Sequence, residues 1–534
     1  MKNRSKYKNY LINLIFPALV FGSVAGTLTA AVVTVYKVCA HHAIVFAERG
    51  YHYLSGHPYW LPVVAVGLFG LAVLLDWIYN NAPNLRGGGI PTSIGVLRGL
   101  LPFRWLRNLL GIFGLSLASF AVGVPLGNEG PAVQMGTAIG RGAVALFARR
   151  HRAWDRYSMT GGACAGFSVA TGAPISGILF GIEEAHQRIS PMILIVSSTA
   201  VLFSYLTTQL LAPLLGVSPT LFPAMELPEL GVRDVWIPLA VGLVLGLFAV
   251  LFLKYYRLVS GFFGRTLKKV PGKYRLFLVL VGILLVGTLS FSFVSTGHEL
   301  ILSLFETRRA LWFLLVILLV RSTGTLCANT NRVTGGIFLP LLALGGVLAA
   351  ALAGVLDSLF GLTAEQYTMI LVLGITACIS GMMKMPLTAI VFSLEALSCH
   401  ANVIYVVLVA TLSFAITEVF DAKSINDSVL ESRLEELNEG KPTKVIDTFV
   451  TVQKGAFAVG KQIRDIFWPA NLFVLSLKHE PTHAAEVVQH GDRAIGEGDV
   501  LHVRYMTTDE GETRRELTAI VGVQDYAEQE TDVI

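Results

Sequence analysis

Gly127-Asn128-Glu129-Gly130-Pro131 interrupts a long apolar region, and two related stretches interrupt other apolar regions: Gly87-Gly88-Gly89-Ile90-Pro91 and Gly335-Gly336-Ile337-Phe338-Leu339-Pro340. In each stretch the glycines permit a tight backbone turn, and the proline follows where the first turn of a helix needs no N–H group. Each stretch therefore predicts a helix N-terminus. Such an end presents unpaired N–H donors and about half a positive charge, so several that converge inside a membrane would bind an anion without a cationic side chain. The alternative is that glycine and proline are simply frequent in membrane helices.

The composition indicates that these stretches lie in a membrane protein. The 534 residues are 54% hydrophobic and only 14% charged, against about 25% charged in ordinary soluble domains. The mean hydropathy over the whole length is +0.63. These values exclude a soluble globular enzyme and a mainly disordered chain. They predict an all-α polytopic membrane protein.

Several of the apolar segments are too short to cross a bilayer. A membrane core of about 30 Å needs about 20 helical residues. Short segments are therefore predicted to be broken or re-entrant helices, whose loose ends survive at membrane depth only when protein buries them or when they line a cavity. The segments are predicted at about 11–38, 60–79, 109–126, 130–147, 159–182, 191–212, 235–253, 276–294, 310–320, 335–356, 366–383, 386–397 and 401–420.

The basic residues predict the orientation of the chain. Four of them precede the first apolar segment, which is too long for a signal peptide and is predicted to be a retained helix: Lys2, Arg4, Lys6 and Lys8. Basic stretches at 148–156 and 254–275 are expected on the cytoplasmic side. The region 211–232 has no Lys or Arg and is predicted to be an external loop. Both termini are therefore expected in the cytoplasm of a multi-pass cell-membrane protein.

Internal repetition predicts a duplicated membrane domain. The stretch Pro174-Ile-Ser-Gly-Ile-Leu-Phe-Gly-Ile-Glu183 recurs 212 residues later as Pro386-Leu-Thr-Ala-Ile-Val-Phe-Ser-Leu-Glu395. Two repeats are predicted at about 10–212 and 235–421 within a membrane domain at 1–438. The remainder, 439–534, is more charged and contains strand-like stretches at 445–452, 472–477 and 500–505. It predicts a small cytoplasmic α/β or α+β domain.

Acidic residues in the apolar regions are candidates for proton transfer. A carboxylate in a membrane helix costs about 2.5–3.5 kcal/mol, so Glu129 is predicted to be functional. At a helix N-terminus it can occupy an anion site, and when protonated it can move away and admit an anion. The alternative is a structural N-cap or a residue in an aqueous vestibule. Glu183 and Glu184 point about 100° apart. Because Glu395 is the repeat partner of Glu183, we predict a structural role for Glu183 and a proton-carrying role for Glu184. The alternative for this pair is two solvated charges at a helix end.

These motifs resemble the CLC family of anion channels and anion/proton antiporters over about residues 10–438. The resemblance implies inverted repeats, a homodimer with one anion pathway per subunit, Glu129 as the gating glutamate and Glu184 as the internal proton glutamate. It also implies that the amides of Ile337 and Phe338 bind the anion. The full predicted anion-binding set is Gly88, Gly89, Ile90, Asn128, Gly130, Ile337, Phe338 and Asn426.

Three positions depart from the family pattern. Gly88 stands where the family has a serine, Asn426 where it has a pathway tyrosine, and Asn128 where it has a lysine or arginine. The loss of the serine and the tyrosine together is reminiscent of the fluoride-exporting branch. That branch usually lacks the internal glutamate, which this chain keeps as Glu184.

The C-terminal region resembles a TrkA-C (RCK_C) domain. The resemblance rests on Phe457-Ala-Val-Gly-Lys461, Asp465 and Gly498-Asp499. It implies a domain that dimerises and binds small regulatory ligands, with cyclic di-AMP as one such nucleotide. It also suggests a bacterial plasma-membrane protein. No resident cofactor or metal is expected.

The sequence thus predicts proton-coupled chloride antiport, with chloride or another small anion, protons and membrane lipid as partners. A passive voltage-gated-type chloride channel and a fluoride/proton antiporter are the alternatives. A potassium-uptake component, prompted by the C-terminal region, would need a TVGYG-like filter that the sequence lacks. Catalytic motifs such as HExxH and GxSxG are missing, and the basic clusters lack interleaved aromatics. Neither an enzyme nor a nucleic-acid partner is expected.

Overall fold

The computed structural model describes residues 15–148, 152–267, 269–439, 441–479, 485–488 and 491–524. The basic residues at 2–8 and part of the basic stretch at 148–156 lie outside these ranges. The helices of the membrane part are α1 (Phe16–Gly56), α2 (Leu61–Asn81), α3 (Ile90–Leu97), α4 (Trp105–Ala121), α5 (Glu129–Phe147), α6 (Asp155–Thr171), α7 (Pro174–Phe180), α8 (Pro191–Leu215), α9 (Trp236–Arg265), α10 (Gly272–Leu289), α11 (His298–Glu306), α12 (Leu311–Thr330), α13 (Phe338–Phe360), α14 (Ala364–Met383), α15 (Pro386–Ala396), α16 (Val403–Val419) and α17 (Ile425–Asn438).

The helices combine long membrane-crossing elements with short ones. Within the described residues, eight helical segments are long and apolar enough to cross a membrane. The predicted short elements are also present, since α15 has 11 residues and α7 has only 7 before it continues as a π-helix, Gly181–His186. The predicted segment 159–182 breaks at Gly172, whose φ of 70° ends α6. The helix α11 was not predicted, and for α3 the sequence predicted only the helix N-terminus at 87–91.

The predicted segment 310–320 is too short. The helix α12 has 20 residues in all and continues past Arg321, a buried arginine, to Thr330. Arg321 is 1% exposed, and its guanidinium donates to the backbone carbonyls of Ser292 (3.0 Å), Val294 (2.6 Å) and Ser295 (2.9 Å). These carbonyls replace water as hydrogen-bonding partners, so the charge is tolerated inside the membrane part. The first and seventh segments also extend further than predicted, to Gly56 and Arg265.

The two copies of the repeated sequence, α7 and α15, cap each other through glutamates. The Glu183 carboxylate accepts hydrogen bonds from the backbone N–H groups of Leu387 (3.0 Å) and Thr388 (2.8 Å) and from the Thr388 hydroxyl (2.7 Å). Glu395 makes the corresponding three bonds to the first turn of α7, two from backbone N–H groups and one from the Ser176 hydroxyl, all at 2.8 Å. This reciprocal arrangement confirms the predicted structural role of Glu183.

Small residues allow α5 and α6 to pack closely. Gly136 of α5 and Gly162 of α6 face each other, and a Cβ added to either would overlap the carbonyl group of the other. Close backbone approach at small residues is the usual way in which helices associate in membranes. The contact fixes α5, the helix that begins at Glu129.

The C-terminal region forms a small antiparallel sheet with one helix. Its strands are β1 (Lys444–Thr451), β2 (Leu472–Lys478), β3 (Ala485–Val487) and β4 (Val500–Thr507), in the order β1-β4-β2-β3, and α18 (Glu510–Val521) follows β4. The three predicted strands correspond to β1, β2 and β4. Leu477, Leu501 and Val503 of the sheet and Leu517 of α18 are buried together in a separate core. The region is therefore an α+β unit with an apolar core of its own.

The reciprocal caps predict a specific loss of stability in Glu395→Gln and Glu183→Gln. Each change removes the negative charge at a helix N-terminus and one acceptor atom, so we expect unfolding free energy to fall by about 1–2 kcal/mol. Thermal unfolding of the purified protein in detergent measures the change. The matched control is Glu431→Gln, an exposed carboxylate paired with Lys423, which should change stability by less than about 1 kcal/mol. Equal stability of all three variants would contradict the capping role.

Candidate anion and proton site

The three glycine-rich stretches meet at one place in the structure. Gly127 and Gly336 exchange two backbone hydrogen bonds, N–H to O=C, at 2.6 and 2.7 Å. A Cβ added to Gly130 would lie 2.7 Å from the Cα of Gly336 and 3.1 Å from the carbonyl oxygen of Gly88. Only glycine permits this approach, because real Cβ atoms keep at least 3.0 Å from other heavy atoms.

Each of these stretches begins a helix, as predicted. Gly89 precedes α3, Asn128 precedes α5 and Ile337 precedes α13. The first N–H groups of a helix have no carbonyl partner within that helix. Three helix N-termini, each with a partial positive charge, therefore face a common region.

The predicted anion-binding residues lie at these junctions or next to them. Those in the three stretches are buried except for Asn128, which is half-buried: Gly88, Gly89, Ile90, Asn128, Gly130, Ile337 and Phe338. Asn426 belongs to α17, and its side-chain amide donates to Glu184 Oε1 at 2.9 Å. The contact between Asn426 and Glu184 was not predicted from the sequence.

Glu129 lies fully buried in the first turn of α5. Neither carboxylate oxygen has a hydrogen-bonding partner among the described residues. The backbone N–H groups of Glu129 and Leu339 are close by without reaching hydrogen-bonding geometry. A buried carboxylate with unfilled acceptor positions is not held as a structural N-cap would be. This arrangement therefore favours movement of the Glu129 side chain away from its buried position.

A cavity of about 600 Å³ opens beside Glu129. Asn128 and Leu339, which flank the carboxylate on two helices, both line it. Lys37 and His298 also line the cavity, and both interact electrostatically with Glu129. The cavity offers room for a displaced side chain, and its lining places the Lys37 ammonium group near Glu129 while also holding the carboxylates Glu48 and Glu299.

Glu184 lies in the π-helix that follows α7. It is 2% exposed, and the Asn426 amide is its side-chain partner. The Arg98 guanidinium donates to the backbone carbonyls of Glu184 (2.9 Å) and Ala185 (3.0 Å). Local π-helical turns often occur at functional sites. The membrane part thus contains a second buried carboxyl group, Glu184, in addition to Glu129.

Sequence reasoning missed the residues that hold the loops together. The Tyr79 hydroxyl pairs with Thr334 Oγ1 at 2.8 Å, and Thr334 Oγ1 donates to the Leu85 carbonyl at 2.7 Å. This contact links the stretch before Gly87 to the stretch before Gly335. Arg433 of α17 is 6% exposed and donates to the backbone and side chains near α3. Tyr79 lies in an apolar segment, where its hydroxyl group is a local signal of a polar contact, whereas Arg433 lies in a charged helix that gives no such signal.

Broken helices whose N-termini surround a buried carboxylate are the features of a membrane transport protein for anions. Residues 69–418 match the sequence profile of the voltage gated chloride channel family, and the chain belongs to that family.

Similar proteins agree with this assignment. The H(+)/Cl(-) exchange transporter ClcA of Klebsiella pneumoniae is 27% identical over 429 residues, which cover 79% of this chain and 89% of that protein. The crystal structure of a slow cyanobacterial Cl-/H+ antiporter superimposes with a TM-score of 0.72 at 22% identity, over 79% of this chain and 99% of that one. A CLC-type fluoride/proton antiporter gives a TM-score of 0.61 at 20% identity, over 76% and 96% of the two chains. The structural comparisons establish the CLC transporter fold.

The close approach of the glycine loops predicts that Gly336→Ala impairs anion binding. Its Cβ would lie 2.6 Å from the backbone nitrogen of Gly130, so the loops must separate at a cost of about 1–3 kcal/mol. We expect at least a tenfold weaker chloride affinity in isothermal titration of the purified protein. Gly354→Ala is the control, because that helical glycine has no atom within 4 Å of its added Cβ. Unchanged affinity in Gly336→Ala would contradict the proposed role of these loops.

Proposed function

We propose that the protein exchanges chloride for protons across a cell membrane. The observation that carries the proposal is the buried Glu129 carboxylate, which has no hydrogen-bonding partner in the described part of the chain and lies where three helix N-termini converge. The family assignment and the exchange activity named for ClcA of Klebsiella pneumoniae support the proposal. The proposal has two parts, anion/proton exchange and chloride as the native anion.

In this mechanism the anion and the Glu129 carboxylate compete for the same electropositive position. The ionised carboxylate is stabilised by the helix N-termini and excludes the anion. When Glu129 takes up a proton, this stabilisation is lost and the side chain moves into the adjoining cavity. The amides of Ile337 and Phe338 then bind the anion. Protonation and anion entry are thereby coupled at one residue.

Glu184 supplies the second half of the coupling. Its carboxyl group is buried and its Oε1 accepts a hydrogen bond from Asn426. A passive channel needs no second proton-carrying group, so Glu184 favours exchange over a passive voltage-gated-type chloride channel. We propose that Glu184 transfers protons between the cytoplasm and Glu129.

The coupling predicts that Glu129→Gln abolishes proton transport while anions still flow. Glutamine cannot carry a proton, and its neutral side chain resembles the protonated state that admits the anion. The assay uses the protein in liposomes with an imposed chloride gradient and records external pH and chloride efflux together. Glu184→Gln should reduce proton transport by at least tenfold with chloride flux retained.

The unmutated protein is the reference in the same assay. A chloride gradient should drive protons uphill through it. Chloride flux with no proton movement would instead identify a passive channel. Unchanged proton transport in Glu129→Gln would contradict the assignment of that residue.

Fluoride/proton exchange is the second candidate, and two positions favour it. Gly88 provides no hydroxyl group toward the anion, and the Asn426 amide is engaged with Glu184. Neither position offers the hydroxyl that a chloride pathway of this family uses. The presence of Glu184 favours chloride, which remains our first proposal.

Gly88→Ser tests the selectivity directly. A Cβ at this position lies 3.2 Å from the Gly335 carbonyl oxygen, so a serine fits after a shift of a few tenths of an ångström. The new hydroxyl can donate to a bound anion, and we expect the chloride-to-fluoride flux ratio to rise about threefold or more. Ion-selective electrodes on liposomes measure both fluxes. A ratio unchanged by Gly88→Ser would show that position 88 does not contact the anion.

We also propose that the C-terminal α+β unit is a TrkA-C-like regulatory domain. Within its motif, Lys461 donates to the Phe457 carbonyl at 2.5 Å, and burial lowers the pKa of Lys461 to about 8. The Phe457 ring contacts Trp154 of the membrane part edge-on at 5.6 Å. A ligand that moves this motif would therefore act on the membrane part. We further propose a homodimer in a bacterial plasma membrane with both termini in the cytoplasm.

The regulatory proposal predicts that cyclic di-AMP binds the purified full-length protein. Isothermal titration should give a saturable signal, and bound nucleotide should change chloride flux in liposomes with the nucleotide on the C-terminal side. Cyclic di-GMP serves as the matched nucleotide control. If no binding heat is measured with either nucleotide or with any other nucleotide tested, the C-terminal unit is a structural or dimerisation module.

A further inference from the structure

The C-terminal domain packs against the turn that carries Glu184. The loop between the motif at 457–461 and strand β2 places Phe467 against the membrane part, where its side chain is 9% exposed. The Phe467 ring stacks on His186 with centroids 4.5 Å apart and planes inclined by 29°. It also contacts the Tyr157 ring at 4.3 Å, and the Arg188 guanidinium lies 4.7 Å above it. Phe467 therefore fills a site built by three side chains of the membrane part.

Polar contacts fix the loop on both sides of Phe467. The Tyr157 hydroxyl donates to the backbone carbonyl of Asp465. Ser190 Oγ donates to Asp465 Oδ1 at 3.0 Å, and Arg156 donates to the Trp468 carbonyl at 2.6 Å. The loop is therefore docked in one defined position, and Phe467 is its apolar centre.

His186 is the last residue of the π-helix and lies two residues after Glu184. Its Nε2 is 2.8 Å from Thr160 Oγ1, whose single proton is donated to the Arg156 carbonyl at 2.7 Å. His186 must therefore carry its proton on Nε2 and donate to Thr160. The ring is fixed at one edge by this bond and on one face by Phe467.

The other contacts of this turn come from the membrane part itself. Arg98 binds the carbonyls of Glu184 and Ala185, and Asn426 binds the Glu184 carboxyl group. Among the described residues, the C-terminal domain contacts the turn through the stack on His186 and through the apolar cluster of Phe467 against which Ile182 packs, and Arg188 just beyond the turn donates to the Ile466 carbonyl at 3.4 Å. The π-helix is rare and occurs mostly as a single turn, frequently at functional sites. Removing the stack on His186 would free the end of this turn.

We propose that Phe467 is a positioning residue for Glu184. By stacking on His186 it holds the last turn of the π-helix, and the docked C-terminal domain thereby sets how the Glu184 carboxyl group is presented to the proton pathway. The inference rests on the proposed function for the proton-carrying role of Glu184. According to this inference, the C-terminal domain affects proton transfer more strongly than anion binding.

The test compares Phe467→Ala with Glu516→Gln in the full-length protein. Glu516 of α18 pairs with one terminal nitrogen of Arg156 at 2.8 Å. Its variant weakens the same domain interface, while the other terminal nitrogen of Arg156 keeps its bond to the Trp468 carbonyl and Phe467 keeps its stack on His186. In hydrogen exchange followed by mass spectrometry, peptides covering 181–188 should exchange about threefold faster or more in Phe467→Ala, and at the unmutated rate in Glu516→Gln. This readout does not depend on transport.

Transport in liposomes supplies the second readout. Phe467→Ala should lower proton flux about three- to tenfold relative to chloride flux, and Glu516→Gln should leave the ratio unchanged. His186→Ala should have the same effect as Phe467→Ala, and the double variant should be no worse than either single one.

Two results would overturn the inference. One is unchanged exchange at 181–188 in Phe467→Ala. The other is an equal change in Glu516→Gln, which would mean that the interface acts only by holding the domain in place. If the unmutated protein moves no protons, the proposed function fails, while the exchange experiment still decides whether Phe467 holds the π-helix.

Discussion

Backbone N–H groups at the ends of broken helices are the constraint on which the membrane part depends. Inside a bilayer each unsatisfied polar group is costly, so such ends must be buried in protein or line a cavity. Here the ends of α3, α5 and α13 meet in one place, and direct backbone bonds between Gly127 and Gly336 hold two of them together. The same arrangement that removes these groups from lipid concentrates their partial positive charge. A structural requirement of the membrane thus creates an electropositive position, which we propose as the anion site.

The surrounding structure fixes this position through hydrogen bonds that do not involve the Glu129 carboxylate. The glutamates of the two repeats cap each other's short helices, and Tyr79 and Thr334 join loops that are distant in sequence. In contrast, both carboxylate oxygens of Glu129 lack partners among the described residues. A rigid frame around a side chain that can move is what a gate at one residue requires. The Phe467 contact extends the frame from the membrane part to the C-terminal domain.

Features that depend on local chemistry could be predicted from the sequence. Glycine and proline mark the start of α3, α5 and α13, and the repeated stretch identifies Glu183 as structural because Glu395 occupies the same place in the second copy. The strands of the C-terminal domain follow from short apolar runs between turns. The helix starts and the strands are each signalled within about ten neighbouring residues, and the repeat needs only the comparison of two ten-residue stretches 212 residues apart. The sequence pattern was sufficient for all of them.

Features that depend on contacts between distant residues could not be predicted. The length of α12 was underestimated because Arg321 resembles the end of an apolar segment until its three carbonyl partners are known. Lys37 lies in the first helix, as the predicted segment 11–38 implies, but its approach to Glu129 depends on the packing of α1 against the rest of the domain. Tyr79 and Thr334 are 255 residues apart. The docking of Phe467 required the structure of both domains together.

The central claim is that helix N-termini at membrane depth bind the transported anion. Diffraction from crystals soaked in bromide, recorded at the bromine absorption edge, tests it most directly. The account predicts an anomalous peak bounded by the first turns of α3, α5 and α13, next to the Glu129 side chain. Anomalous peaks confined to surface lysines and arginines, with none where these three helices begin, would contradict it.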